Sequence, residues 1–320
     1  MTMPIPRRSH GGYASRGTPV EPHCGRASAS TTADIVGPVN DGMVSRKTSR
    51  ADIQAVGVFL VLAFTWSWAW AWPLALSGAV VTRGDGWPTH FPALLGPAAA
   101  ALLTAAWIGG RAGVRDLLAR MGRWRFPLRW WAVTLSPLAF LAAALLVQAV
   151  LGDTPGPGDF GRYTGLPAAG VLSVTVLVVV LNGFGEETGW RGFAVPTLLP
   201  RFGPLGTALI IAPVWALWHL PYFFLLDSYQ SFNLLTIIGF LVGLAYGSIV
   251  LTWLYLGTGG SILAVAIWHG LFNMATATDG ATNIIASTVS ALVIALGIVV
   301  SPWLRRMHTP WIAATRPRKR

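Results

Sequence analysis

The sequence has few of the charged residues that a water-soluble protein places on its surface. Only 11 % of its 320 residues are charged, whereas 53 % are hydrophobic. Soluble domains carry about 25 % charged residues on average. The composition therefore excludes an ordinary soluble domain and predicts a polytopic membrane protein, most of whose surface contacts lipid.

Cysteine is nearly absent, and several familiar catalytic patterns are missing. The single cysteine, Cys24, excludes an intrachain disulfide and a cysteine-based metal site. Because the sequence has no His-Glu-x-x-His, Gly-x-Ser-x-Gly or phosphate-binding loop, it does not support a soluble-type metalloprotease, a serine hydrolase or a nucleotidase. No internal repeat is visible either, which disfavours the duplicated transporter folds.

Long apolar runs are what the sequence does contain. They lack the alternation of β-strands, and about 20 apolar residues in a helix cross a bilayer. We therefore predict an all-α, polytopic transmembrane helix bundle of about eight spans within residues 51–304. The predicted spans are approximately 53–76, 91–108, 130–151, a stretch from 168 that carries 186–187, 205–226, 232–256, 262–277 and 284–303.

The two ends of the chain differ in composition from this bundle. Residues 1–50 are rich in Ser, Thr, Gly, Pro and Arg and contain no apolar run, so we predict a disordered tail. Met43 stands shortly before the first span and is a candidate native start, which would make residues 1–42 an over-extension. Residues 305–320 form a basic C-terminal tail.

The distribution of positive charge predicts the orientation in the membrane. The formal net charge is +11, and basic residues concentrate at 46–50, in the loop at 111–129 and in the tail at 305–320. Since basic loops beside apolar spans remain cytoplasmic and contact anionic lipid headgroups, we predict cytoplasmic termini and no nucleic-acid binding. The Arg-, Ala- and Gly-rich composition suggests a GC-rich bacterial genome, and hence the bacterial plasma membrane.

Two adjacent glutamates, Glu186 and Glu187, interrupt the apolar sequence. A carboxylate at the bilayer centre costs about 2.5–3.5 kcal/mol even on the lowest scale, so each needs a partner or a function. Arg191 lies one helical turn after Glu187 and can form an ion pair with it. Glu186 points about 100° away from Glu187 on an α-helix, and it has no partner on its own helix.

Three further polar residues lie in apolar runs: His219, and His269 with Asn273 one turn later. If they face one cavity with Glu186, they can activate a water molecule. Two imidazoles and an oxygen ligand suit Zn²⁺, with His219 and His269 as the ligands. Alternatively, Glu186 and a histidine orient the water without a metal, and Asn273 donates to the oxyanion. Each histidine alone could instead be a structural hydrogen-bonding residue.

Three motifs, in this order, resemble those of the CAAX-protease and bacteriocin-processing family (CPBP, also called ABI), which includes the type II CAAX prenyl endopeptidases. The sequence Glu-Glu-Thr-Gly-Trp-Arg at 186–191 matches the family's Glu-Glu-x-x-x-Arg, and 269–273 matches His-x-x-x-Asn. Residues 215–219 correspond to Phe-x-x-x-His, with Trp215 in place of phenylalanine. The motifs define a core at about 168–279.

The resemblance implies an intramembrane endopeptidase that cleaves a membrane-associated or lipophilic peptide or protein. It assigns the activation of water to Glu186, and it assigns support of the site to Glu187 and Arg191. The residues that it implies to bind or orient the water, with or without a metal, are His219, His269 and Asn273.

Two other functions remain open at this point: a non-catalytic scaffold or bacteriocin-immunity factor, and a transporter that uses Glu186 to carry protons. The span limits also predict a difference of about 10 Å in membrane depth between Glu186 and His219. Their convergence requires kinks at Pro213 and Pro221 or shifted span limits. The sequence does not predict an oligomeric state.

Overall fold

The protein is a bundle of α-helices. The computed structural model describes residues 50–281 and 284–307, so most of both predicted tails, including Met43, lies outside the described residues. Two π-helical segments, Val179–Phe184 and Trp190–Ala194, flank a short helix in the middle of the chain. The α-helices are α1 Arg50–Leu76, α2 Phe91–Leu94, α3 Gly96–Met121, α4 Leu128–Thr134, α5 Ser136–Leu151, α6 Val171–Val178, α7 Gly185–Gly189, α8 Val195–Trp218, α9 Tyr222–Leu225, α10 Asp227–Gln230, α11 Leu234–Gly257, α12 Ile262–Met274 and α13 Ile284–Arg306.

The all-α membrane fold is confirmed, but the count of about eight spans is not. Among the described residues, five helical segments are long and apolar enough to cross a membrane, and six if α4 and α5, which meet at 46°, form one bent span. The seventh predicted span contains only α12, which has 13 residues. The fourth and fifth predicted spans belong to one segment of 55 residues, Val171–Leu225.

A break at Gly203 divides this long segment into two arms. A straight helix of that length would extend about 80 Å, far beyond the roughly 30 Å of a hydrocarbon core. Gly203 has φ 65° and ψ 175°, a conformation that glycine adopts readily, and Pro204 follows it without an amide hydrogen. The glutamate pair lies on the first arm, and the second motif lies on the other.

The short helix α12 is the centre of the bundle. It packs against α4, α5, α6, α7 and α11 and against both π-helical segments. Ile262, Ala264 and Val265 on α12 are completely buried. The long helices α1, α11 and α13 lie further out, where much of their apolar surface is exposed. This placement brings His269 and Asn273 to the middle of the protein, beside the glutamates.

Two loops, 77–90 and 152–170, close one end of the bundle, and we call them the cap. Hydrogen bonds between backbone atoms join them: Gly84 N donates to Tyr163 O at 3.1 Å, and Gly165 N donates to Thr82 O at 2.8 Å. The cap is also attached to the helices, because Val81 N donates to Leu225 O at 2.8 Å. Its backbone is therefore fixed above the ends of the central helices.

At the opposite end of α3, the buried side chain of Arg120 holds three elements together. Its guanidinium donates to the carbonyl of Gly192 in the second π-helical segment and to the hydroxyl of Tyr255 on α11, both at 2.6 Å. It also forms an ion pair of 2.8 Å with Asp116 on its own helix. This arginine thus fixes the end of the π-helical segment that follows the glutamates.

We expect Arg120→Met to lower the free energy of unfolding by about 3 kcal/mol or more, because hydrogen bonds to a charged group are worth roughly 1.5–3 kcal/mol each. Thermal unfolding of the purified protein in detergent measures the effect. Arg111→Met, at an exposed position of the same helix, is the matched control and should leave the midpoint unchanged. Equal midpoints for both variants would contradict this role of Arg120.

Candidate active site

The glutamate pair lies on a single α-helical turn between two π-helical segments. Glu186 and Glu187 belong to α7, which has five residues, and both are almost completely buried. π-Helical turns are rare and are found frequently at functional sites. Each π-helical segment shifts the register of the side chains relative to a continuous α-helix. Neither π-helical segment was predicted from the sequence.

Glycines allow this part of the chain to approach its neighbours closely. A Cβ atom at Gly189 would lie 2.6 Å from Cβ of Pro97 on α3, and one at Gly185 would lie 2.7 Å from the carbonyl oxygen of Leu94 on α2. On the other side, a Cβ atom at Gly270 would lie 2.8 Å from Cα of Val179. Small residues permit such backbone contacts in membrane proteins. They bring α7 against α3 and the first π-helical segment against α12.

The predicted ion pair between Glu187 and Arg191 is present, and it has a third member. Arg191 NH1 lies 3.1 Å from Oε1 of Glu187, and His269 Nδ1 lies 2.8 Å from the same oxygen. All three side chains are buried, and the Arg191 guanidinium also lies 4.6 Å from the ring centre of Trp215. Glu187 therefore connects its own helix to α12 and orients the imidazole of His269.

Glu186 has a partner that the sequence analysis did not identify. The indole nitrogen of Trp215 donates a hydrogen bond of 2.7 Å to Oε2 of Glu186. From the sequence, Trp215 stands out only because it replaces the phenylalanine of the motif. A phenyl ring has no N–H donor, so the phenylalanine could not form this hydrogen bond. No hydrogen bond joins Oε1 of Glu186 to a protein atom among the described residues, and Glu186 as a whole is 2 % exposed.

The two histidines lie on either side of Trp215. Their ring centres are 5.7 Å (His219) and 5.5 Å (His269) from the indole. His219 Nδ1 contacts the carbonyl oxygen of Trp215 at 2.7 Å, and His269 Nδ1 is held by Glu187. In the described part of the chain, Nε2 of each ring has no hydrogen-bond partner, and the two residues are 8 % and 5 % exposed.

Glu186 and His219 both contact Trp215, as the convergence of the motifs requires. Trp215 lies one turn before His219 on the same arm. Between the two glutamates and this arm, the chain departs from a straight α-helix at the second π-helical segment and at Gly203. Glu186 also interacts electrostatically with His269. Glu186, His219 and His269 therefore surround Trp215.

Asn273 is half-buried, and a residue of the cap lies beside it. The hydroxyl of Tyr163 interacts with the side chains of Asn273 and Asn182. Burial, followed by the neighbouring Tyr229 and Glu186, raises the pKa of Tyr163, so that its hydroxyl stays protonated. Tyr222 also interacts with Glu186. These three tyrosines come from loops or short helices, where no sequence pattern marked them.

The side chains of the candidate site do not form a preformed metal-binding group. Among residues 50–281 and 284–307, no group of three or more His, Cys, Asp or Glu side chains is arranged to bind a metal. The candidate ligands within the motifs are Nε2 of His219, Nε2 of His269 and the side-chain oxygen of Asn273. These atoms do not constitute a preformed three-ligand site of His and carboxylate groups.

Comparisons with known proteins agree with the motif pattern. Residues 168–275 match the family model described as "Type II CAAX prenyl endopeptidase Rce1-like". A protein named CAAX prenyl protease 2 from Methanococcus maripaludis is 28 % identical over 146 residues, which is 43 % of this chain and 54 % of that protein. The chain thus aligns with about half the length of this relative. The segment 168–275, which carries both glutamates and both histidines, is therefore similar to the Rce1-like type II CAAX prenyl endopeptidases.

Proposed function

We propose that this protein is a CAAX-type intramembrane endopeptidase in which Glu186 activates the hydrolytic water. The observation that carries the proposal is the arrangement around Trp215. One oxygen of Glu186 is fixed by the indole N–H, while its other oxygen and Nε2 of His219 and of His269 have no hydrogen-bond partner among the described residues. The match of residues 168–275 to a protease family supports the same reading.

In the proposed reaction, a water molecule binds between Oε1 of Glu186 and an imidazole Nε2. Glu186 accepts a proton from this water while the oxygen of the water attacks the peptide carbonyl carbon. Asn273 then donates a hydrogen bond to the oxyanion. The C–N bond breaks as Glu186 returns the proton to the leaving amine. Glu187 acts through His269, whose ring it orients, and is therefore a positioning residue.

The proposed substrate is a peptide or protein that is associated with the membrane or is itself lipophilic. The site lies inside a bundle whose outer helices expose apolar surface. A substrate must therefore approach from, or along, the bilayer. The relative from Methanococcus maripaludis is named as a prenyl protease. By analogy, a peptide with a lipid-modified C-terminus is one member of the proposed substrate class. In the predicted orientation with cytoplasmic termini, the basic loop at 111–129 is cytoplasmic.

We expect Glu186→Gln to reduce peptide hydrolysis by about 10²–10⁴-fold, the usual effect of losing a general base. The fold should persist, because the amide oxygen can still accept from the indole of Trp215. Glu187→Gln is the contrasting variant: it weakens a buried ion pair and should lower the unfolding temperature. Turnover of a quenched-fluorescence lipopeptide in proteoliposomes measures the activity. Wild-type turnover by Glu186→Gln would refute the mechanism.

Trp215→Phe tests the hydrogen bond to Glu186 while keeping an aromatic ring in place. We expect kcat to fall about tenfold with little change in KM, since one oriented hydrogen bond is lost and the apolar wall remains. Trp253→Phe, on α11 and packed against Trp130, is the control and should behave as wild type. An unchanged kcat for Trp215→Phe would show that the indole N–H does not position the carboxylate.

Zn²⁺ bound by His219 and His269 is the alternative to this metal-free reaction. Because the described donors do not form a preformed three-ligand site, we expect hydrolysis to survive prolonged treatment with EDTA. Elemental analysis of the purified protein should find less than one metal ion per chain. Loss of activity in EDTA that is restored by added Zn²⁺, together with loss of bound zinc in His219→Ala, would establish a metal-dependent enzyme instead.

A further inference from the structure

A second group of polar side chains lies under the cap, beside the candidate active site. Its members are buried and uncharged, and they come from both cap loops and from α9. Within the described residues, each has a polar atom that is occluded from solvent and hydrogen-bonds to no protein atom. These atoms are Oγ1 of Thr89, Nδ1 of His90, Oγ1 of Thr164 and the hydroxyl of Tyr222.

Two of these atoms pack against Gly165. A Cβ atom at this glycine would lie 3.0 Å from Nδ1 of His90, and it would overlap Oγ1 of Thr89. Thr164 is the preceding residue. The rings of His90 and Tyr222 are 5.8 Å apart in an edge-to-face arrangement. The four polar side chains therefore lie close together, where the two cap loops meet α9.

A buried polar atom without a partner costs roughly 1–3 kcal/mol, so four of them in one place would be strongly destabilising. Ordered water is the usual partner of such atoms, provided that the space is polar and offers two to four hydrogen-bonding groups. Burial lowers the pKa of His90 to about 3, so this ring is neutral. No charge in the group calls for a counter-ion, and water, which both donates and accepts hydrogen bonds, matches the neutral hydroxyl and imidazole groups.

The polar group under the cap extends towards Glu186. The ring of Tyr222 lies 5.8 Å from that of His219, and Tyr222 interacts electrostatically with Glu186. Tyr222 thus lies between His90 on the cap and the residues that would hold the reactive water. Each hydrolysis consumes one water molecule, and the lipid around the bundle does not supply it.

We propose that the cap encloses a water-binding site formed by Thr89, His90, Thr164 and Tyr222, and that this site supplies water to Glu186. The binding site stands on the geometry alone, whereas its role in supply rests on the proposed protease function. The two parts are tested separately.

The binding site is tested by a density map of the Glu186→Gln protein at a resolution that shows ordered water. We expect water density within hydrogen-bonding distance of Thr89 Oγ1 and His90 Nδ1, and its loss in the additional variant Thr89→Val. A map of that quality without density at this place would overturn the site. This result does not depend on whether the protein is a protease.

The supply role is tested by kinetics of Thr89→Val and Tyr222→Phe in proteoliposomes. We expect kcat to fall about tenfold in each, with KM unchanged, because water returns more slowly to Glu186 while the peptide still binds. Thr207→Val is the control: its hydroxyl is likewise buried without a partner, but it lies twelve residues before His219, about 18 Å along α8. Wild-type kcat in both cap variants would overturn the supply role, even if the water is present.

Discussion

The burial of two carboxylates inside an apolar bundle is the constraint on which the rest of the structure depends. The protein solves it differently for each residue. Glu187 shares one oxygen between Arg191 and His269, so a cation and an imidazole stabilise it from its own helix and from α12. Among the described residues, the hydrogen-bond donor to Glu186 is the N–H of Trp215. A neutral donor stabilises a carboxylate less than a cation does, which fits the proton exchange that we propose for Glu186.

The backbone around the glutamates is adapted to this chemistry. The first motif has to meet His219 and His269, which come from separate helices, and a straight helix would place them at unequal depths. Two π-helical segments and the break at Gly203 remove that difference. Glycines on the contacting faces then allow the backbones to approach closely. Arg120 fixes the end of this region through Gly192, so the site depends on a contact at the far end of α3.

The sequence was most informative where the cost of burial is high. Ionisable residues in apolar runs are rare, so Glu186, Glu187, His219 and His269 could be selected without a structure, as could the Glu187–Arg191 pair. Hydropathy also predicted the helices, but it could not predict the number of spans. Hydropathy cannot show a turn at Gly203 inside a continuous helical segment. It also cannot show that α12 is too short to cross a membrane. Tyr163, Tyr222 and Tyr229 were missed because an aromatic residue in a loop or a short helix is ordinary in a membrane protein.

An intramembrane hydrolase must exclude lipid and admit water at the same place. In the proposed hydrolase, the cap would meet the first requirement, because its two loops are hydrogen-bonded to each other and to Leu225. A fully apolar underside would exclude water as well, and the carboxylate of Glu186 would then have no reactant. The cap instead carries buried hydroxyl and imidazole groups whose hydrogen bonds no protein atom in the described chain completes. Such groups are costly in a protein interior. Their concentration between the cap and Glu186 is accounted for if they bind water that the bundle otherwise excludes.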